Sequence, residues 1–260
     1  MTTPSNRSID ALIAKRFSYL CELIRQPQAK RDLESEIDDS RSTLDRALRE
    51  LHEADLVEYN NGIWKTTLLG IWCVQEREAY LDQLASITEA AAICNDLPRD
   101  QSIGRAFLIG ADVHESDPMV PDAVIQTLFD SIEPARSVSL ATPVLMTGVA
   151  TELLTRVTNG RIDSLEFAIP PSTLEQLDDV LPSVTSQLVQ HPHVDAYVSS
   201  VPFKFGLCTT DTNEAGVIVY ADQGISGILL NNTSQATNWA STQYEKVMAE
   251  AEALYTVDDM

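Results

Sequence analysis

The chain is poor in several features that would fix a function quickly. Its 260 residues hold no apolar run long enough to cross a bilayer, and Met1–Arg7 is polar rather than signal-like. It is therefore expected to be neither spanning nor secreted, without a membrane partner, and cytoplasmic. Four cysteines, Cys21, Cys73, Cys94 and Cys208, lie far apart with no C-x-x-C pair, so disulfide and zinc frameworks are poor readings and small core residues the better one. A glycine-rich phosphate loop followed by Lys-Ser/Thr, a G-x-S-x-G elbow and a G-x-G-x-x-G turn are all missing. No cofactor or metal is expected. His191-Pro-His193 with Asp195, and His114-Glu115 with Asp117, read as solvated polar loops rather than metal clusters.

Positive charge is also scarce. There are 39 acidic and 18 basic residues, a net of −21, and 13 of the basic residues are Arg against 5 Lys. An acidic surface of this kind suits either an ordinary acidic protein or a halophilic one, working in a cytosol of very high salt. At about 1 M salt the Debye length is only ~3 Å, so repulsion from a polyanion is largely screened and close contacts decide binding. The charge is uneven: residues 1–70 hold 10 basic and 12 acidic residues, while 71–260 hold 8 and 27. The nearly neutral part is the part suited to nucleic acid.

That part is organised around Ser40–Leu56. Leu44, Ala47, Leu48 and Leu51 recur at i, i+3, i+4 and i+7, one face of a helix. Arg41, Ser42, Asp45, Arg46 and Arg49 fall on the other face. Ser40 suits the N-cap, and Asp38 and Asp39 suit the positive end of the helix dipole. Asp45 is placed to pair with Arg49 one turn on. A short helix over Lys30–Ile37 precedes it across a tight turn, a helix-turn-helix arrangement. Leu56–Tyr59 and Ile63–Thr66 read as short strands around Asn60-Asn61-Gly62, residues that tolerate a tight hairpin. With a first helix at Ser8–Arg25, ended by Pro27, the pattern is three helices and a wing. Double-stranded DNA is the partner such a unit implies. At the helix start, Arg41 is placed to pair with a guanine edge and Ser42 and Thr43 to meet bases or phosphate, and Arg46, Arg49 and Lys65 are placed to meet phosphate.

After the wing, Thr67 caps a long helix expected to reach Asn95. Cys73, Arg77, Tyr80, Leu84, Ile87, Ala91 and Cys94 recur along it in steps of four and three. This stripe either docks on its own domain or forms a homodimer seam. The expected division is a winged helix-turn-helix domain at 1–70, a linker or dimerisation helix at 71–98, and a C-terminal α/β domain at 104–260.

The last part starts with a buried strand pattern at Ala106–Val113. A loop with Pro118 and Pro121, helix Asp122–Ile132, strand Ser137–Ala141, helix Gly148–Thr158 and strand Leu165–Ile169 follow. Ser172 and Glu175 are spaced as a capping box for a helix to Val180. A helix around Ser183–Gln190 and a strand near Ala196–Ser199 complete a β-α-β-α-β-α order. Phe205–Thr210, Val217–Tyr220 and Ser226–Leu230 then form an antiparallel meander, and a helix from Ser234 to about Tyr255 closes the chain. Trp239 and Tyr244 fit core positions of that helix. Phe205 and Tyr220, near strand ends, are the residues best placed to line a ligand pocket, although core packing explains each singly.

With these residues in view, the chain resembles haloarchaeal winged-helix transcription regulators whose C-terminal domain is of the methanogenesis-regulatory (filamentation-regulator) type. The likeness lies in KRDLESEIDDSRSTLDRALRELHEADLVEYNNGIWKTTLLG, residues 30–70, and in FLIGADV, PFKFGLCTTD, VIVYADQGISGILLNN and NWASTQYEKVMAEAEAL. It implies an archaeal, sequence-specific regulator with a C-terminal sensing or assembly domain, open to a small-molecule effector. It also implies an α+β/α/β architecture, the second domain being phospholipase-D-like. An active site of that kind needs His, then Lys two residues on. Here Lys204 follows Pro202, and no His-x-Lys occurs in the chain. A non-enzyme regulator is therefore expected, the alternatives being a phosphodiesterase-like enzyme tethered to nucleic acid or a structural dimer body without ligand.

Overall fold

A computed structural model of the chain describes residues 6–95, 97–98, 103–117, 119–120, 123–221 and 224–254. The expectations placed on Pro118, Pro121, Asp122 and Tyr255 lie outside them. The chain divides between Asp82 and Gln83 into two compact units, inside one helix.

The first unit comprises α1 (Asn6–Arg25), β1 (Gln28–Ala29), α2 (Lys30–Glu36), α3 (Arg41–Glu53), β2 (Val57–Asn60), β3 (Ile63–Thr66) and the first part of α4 (Leu68–Cys94). Its core is the apolar face of α3, with Leu44, Ala47, Leu48 and Leu51 buried against Leu20 and Leu23 of α1, Leu33 of α2 and Val74 of α4. The hairpin turns through Asn61 at φ 50° and Gly62 at φ 88°, the left-handed backbone that Asn and Gly tolerate. β1, which the sequence pattern did not suggest, adds a third strand by pairing Gln28 with Trp64 and Ala29 with Ile63. Thr67 closes the hairpin onto α4: its hydroxyl donates to the Asp55 carbonyl and accepts from the Gly70 N–H at 3.1 Å.

The second unit holds an eight-stranded mixed sheet. Its elements are α5 (Arg105–Leu108), β4 (Asp112–Glu115), α6 (Ala123–Ser131), β5 (Ser137–Ala141), α7 (Thr147–Thr158), β6 (Ser164–Ile169), α8 (Pro171–Val180), α9 (Pro182–Val189), β7 (Val194–Val198), β8 (Phe205–Thr210), β9 (Ala215–Ala221), β10 (Gly224–Asn231), α10 (Ser234–Met248) and β11 (Glu252–Ala253). The strand order is β11-β7-β6-β5-β8-β9-β10-β4. β5, β6 and β7 are parallel, as their helical crossovers require. β8, β9 and β10 form the antiparallel meander. Helices cover both faces. Leu128 of α6, Leu153 of α7, Leu177 of α8 and Leu188 of α9 are buried on one side. Ala236, Ala240, Tyr244 and Val247 of α10 and Phe107 of α5 are buried on the other.

Several local expectations are corrected. Ala106–Val113 is not a strand: Phe107 is buried in a helical turn, and the strand is Asp112–Glu115, antiparallel at the sheet edge. The turn is fixed from afar, because the Asn231 amide donates to the carbonyls of Phe107 and Ile109 at 2.8 and 2.9 Å. Gly104 starts this turn where a Cβ would stand 2.2 Å from the Trp239 ring. His114 and Glu115 therefore sit on a strand, not in a loop. The Ser172–Glu175 capping box does not form, since Pro170 takes the N-cap position and Pro171 opens the helix. α10 stops at Met248, short of Tyr255, because Glu252 and Ala253 pair with Val198 and Tyr197 of β7 instead.

Candidate nucleic-acid interface

The local sequence builds the exposed face of α3. Ser40 caps the helix, its hydroxyl accepting from the Thr43 N–H at 3.3 Å and lying 3.0 and 2.9 Å from the Ser42 and Thr43 hydroxyls. Arg41, Ser42, Arg46 and Arg49 are exposed and Thr43 half-buried; Ser42, Arg46 and Arg49 lie opposite the leucine face, while Arg41 is open because it is the first residue of the helix. Lys65 is exposed on β3. Five of the six DNA-directed residues are thus gathered on one helix, with the sixth on the wing of the same unit.

Their partners were not legible in local spacing. Arg41 Nε donates to both carboxylate oxygens of Glu34 on α2, at 3.0 and 3.3 Å. Asp45 pairs with Lys30, not with Arg49, because α2 brings the lysine across. Lys65 pairs with Glu58 on β2 at 2.8 Å. Among the described residues Arg46 and Arg49 carry no ion pair. Lys30 and Glu34 are the residues of this face that sequence reasoning missed; the lone signal was their position one helix ahead of α3.

The face is braced from behind. The Arg16 guanidinium, 6% exposed, donates to Glu50 Oε2 of α3 through Nε at 3.0 Å and Nη2 at 2.8 Å. These hydrogen bonds hold the Glu50 carboxyl below its usual range. Tyr19, buried on α1, donates to Asp39 in the turn between α2 and α3. Burial first, then that carboxylate, push the phenol up to about 12. A carboxyl held low stabilises the fold above its unfolded pKa of about 4.3 and loses that contribution as pH falls through the native value. Glu50→Gln is therefore expected to lower stability by about 1–2 kcal/mol at pH 7, a figure reduced for the partial exposure of Glu50. The difference from wild type should shrink when melting is repeated near pH 3; an equal difference at both pH values would exclude the ionic brace.

In the second unit the two residues considered for a ligand do not converge. Phe205 stacks on Phe203 at 4.4 Å, on the α10 side of the sheet. Val219 pairs with Phe205, so the next residue, Tyr220, points to the opposite face. There its hydroxyl lies 2.7 Å from Thr142 Oγ1 and donates to the Val144 carbonyl at 3.0 Å, and burial pushes it up to about 12. The cavity beside it is about 10 Å³, room for no more than one water. A larger hollow of about 340 Å³ opens between α8 and α9, with Leu174, Val189 and Leu254 as its apolar floor and Glu175 and Asp178 at its polar rim.

Two family models match the chain. The middle domain of the methanogenesis regulatory protein FilR1 matches residues 121–250. The chain belongs to the FilR1 middle-domain family. A second model, the HVO_A0261 N-terminal domain, matches residues 5–89 of this FilR1-type chain. It is thus a regulator-type protein, with the FilR1 domain supplying most of the eight-stranded sheet and the helices α6 to α10. No curated protein matches. Among solved structures, the chain is similar to TrmBL2, an archaeal chromatin protein, at 11% identity over 96% of this chain and 100% of that one, with a TM-score of 0.42. An IclR homolog from Microbacterium sp. strain HM58-2 shows 13% identity over 92% and 96%, with a TM-score of 0.26. PigF with SAH shows 13% identity over 74% and 62%, with a TM-score of 0.23. At these levels the likenesses carry nothing about function.

Proposed function

We propose that this FilR1-type protein is a sequence-specific, DNA-binding transcription regulator of the winged-helix kind, acting as a homodimer in high salt. The observation that carries the reading is α3. It is a capped helix with its leucines fully buried, its Arg41, Ser42, Arg46 and Arg49 side open, and a hairpin wing directly after it. Arg41, Ser42 and Thr43, at the N-terminal end, are the base-reading residues. Arg46 and Arg49 meet phosphate, while Lys65, on the wing, approaches it paired with Glu58. The second unit acts as a sensing or assembly body, and the hollow between α8 and α9 is where a small effector would enter. The net charge of −21 supports the high-salt setting, since close contacts survive screening while long-range repulsion does not. Selection from a random duplex pool at about 1 M KCl tests the proposal. Enrichment of one sequence is expected; a pool that stays random through repeated rounds would overturn the reading.

The dimer is proposed to form through α4. Of its stripe, Tyr80 and Leu84 are exposed and Ile87 and Ala91 half-buried. Trp72, 59% exposed, and Leu81 extend the open apolar surface along the helix. Operators read by winged-helix proteins commonly carry two half-sites, which a symmetric pair matches. Leu84→Asp would put an unpaired charge into a dry seam and is expected to shift the dimer to monomer in light scattering. A wild-type monomer at tens of micromolar protein would rule the seam out.

A further inference from the structure

The candidate interface carries more negative than positive charge. Residues 30–66, which span α2, α3 and the wing, hold ten acidic and six basic residues. Three of those six cations are already engaged: Lys30 with Asp45, Arg41 with Glu34, and Lys65 with Glu58. The three engagements differ in kind. The lysines are held by their only charged atom. Arg41 is held by Nε alone, and its two terminal amino groups have no hydrogen bond among the described residues.

This difference has a chemical consequence. A lysine meets a phosphate either by leaving its carboxylate, a near-even exchange of one anion for another, or by sharing its three N–H donors between the two, and either way the carboxylate then faces the polyanion. Phosphate contact supplies nearly all non-specific affinity, so Asp45 and Glu58 suppress that component. Guanine is read through O6 and N7 by two parallel donors. Arg41 can offer its two terminal groups while Nε stays on Glu34, so base reading displaces nothing. The held guanidinium also loses less freedom on binding, because its plane is already set.

We propose that Glu34 is a positioning residue that presents Arg41 as a fork to a guanine edge, and that Asp45 and Glu58 set specificity by masking Lys30 and Lys65 from phosphate. This rests on the DNA-binding reading above. The test uses the duplex selected by the wild-type full-length chain, a scrambled duplex of equal length, and single-base replacements of each guanine in the selected site, across a KCl series. Glu34→Ala is expected to cut discrimination at one guanine by about ten-fold without weakening binding to the scrambled duplex. Glu34→Gln, which keeps an acceptor for Nε, should retain most of that discrimination. Asp45→Asn with Glu58→Gln should raise affinity for the scrambled duplex several-fold and steepen its salt dependence, each unmasked lysine adding roughly 0.9 to the slope. The proposal is overturned if Glu34→Ala, melting as wild type does, keeps full discrimination, or if it weakens both duplexes equally. It is likewise overturned if the Asp45 and Glu58 changes leave scrambled binding and its slope unmoved. If the wild type selects no sequence, the DNA-binding reading itself has failed, a result distinct from a selective wild type with indifferent variants.

Discussion

Replacing Arg41, Arg46 and Arg49 together by alanine is expected to weaken binding to the selected duplex by about a thousand-fold at constant salt. The estimate combines one lost bidentate base contact with two lost phosphate contacts. The loss should come with a flatter salt dependence, its slope smaller by roughly 2, because two phosphates are no longer neutralised. All three side chains are exposed and none belongs to the buried set of α3, so the melting midpoint should stay near that of wild type. A binding curve within two-fold of wild type would remove α3 from the interface. A fallen midpoint would mean that the arginines support the fold rather than the contact.

Leu48→Ala acts through the opposite side of the same helix. Leu48 is 1% exposed and shares a cluster with Leu20, Leu33, Leu44 and Leu51. Truncation removes buried methyl groups and leaves a cavity, at a cost of about 2–5 kcal/mol. A unit of this size has only about 4–12 kcal/mol in total. At about 4–8 °C per kcal/mol for a domain of this length, the first unit should melt at least about 8 °C earlier and lose DNA binding above its new midpoint. Leu48→Met, nearly equal in volume, should cost less than about 1.5 kcal/mol. Equal losses for the two variants would show that packing at this position is not what holds α3 in place.

The parts of the fold that the sequence made legible are those where one local signal dominates. α3 carried a clean 3.6-residue period and a serine cap, and its buried set is Leu44, Ala47, Leu48 and Leu51 as the spacing requires. The wing carried Asn61-Gly62 at its turn. The meander was readable because β-rich runs were separated by turn residues. What failed was decided by distant partners. The run AFLIGADV is apolar but for Asp112, and a short run of that kind has no period to separate strand from helix. The outcome rests on Asn231, more than a hundred residues away, and on the Trp239 ring against Gly104. Asp45 had a good local partner in Arg49 and takes Lys30 instead. Ser172 and Glu175 had capping-box spacing, but with Pro170 at the N-cap and Pro171 opening the helix, the start falls two residues too early for it. The candidate interface divides the same way. Which residues face outward followed from periodicity, whereas the carboxylates that Lys30 and Arg41 touch depend on how α2 crosses α3.

The two ends of the eight-stranded sheet are built alike in one respect. At one end stands β11, two residues long and beginning with Glu252; at the other stands β4, four residues long with Asp112 and Glu115 at its ends, all three acids exposed. An outermost strand is a template on which another chain can add hydrogen bonds, and shortness and charge are what discourage that addition. Where salt is concentrated enough to strip away long-range repulsion, net charge no longer keeps molecules apart, and apolar association is strengthened. Protection against fibril-like stacking then falls to features that act at contact distance. A brief strand that starts or stops on a carboxylate is such a feature, and this sheet is closed by one on each side.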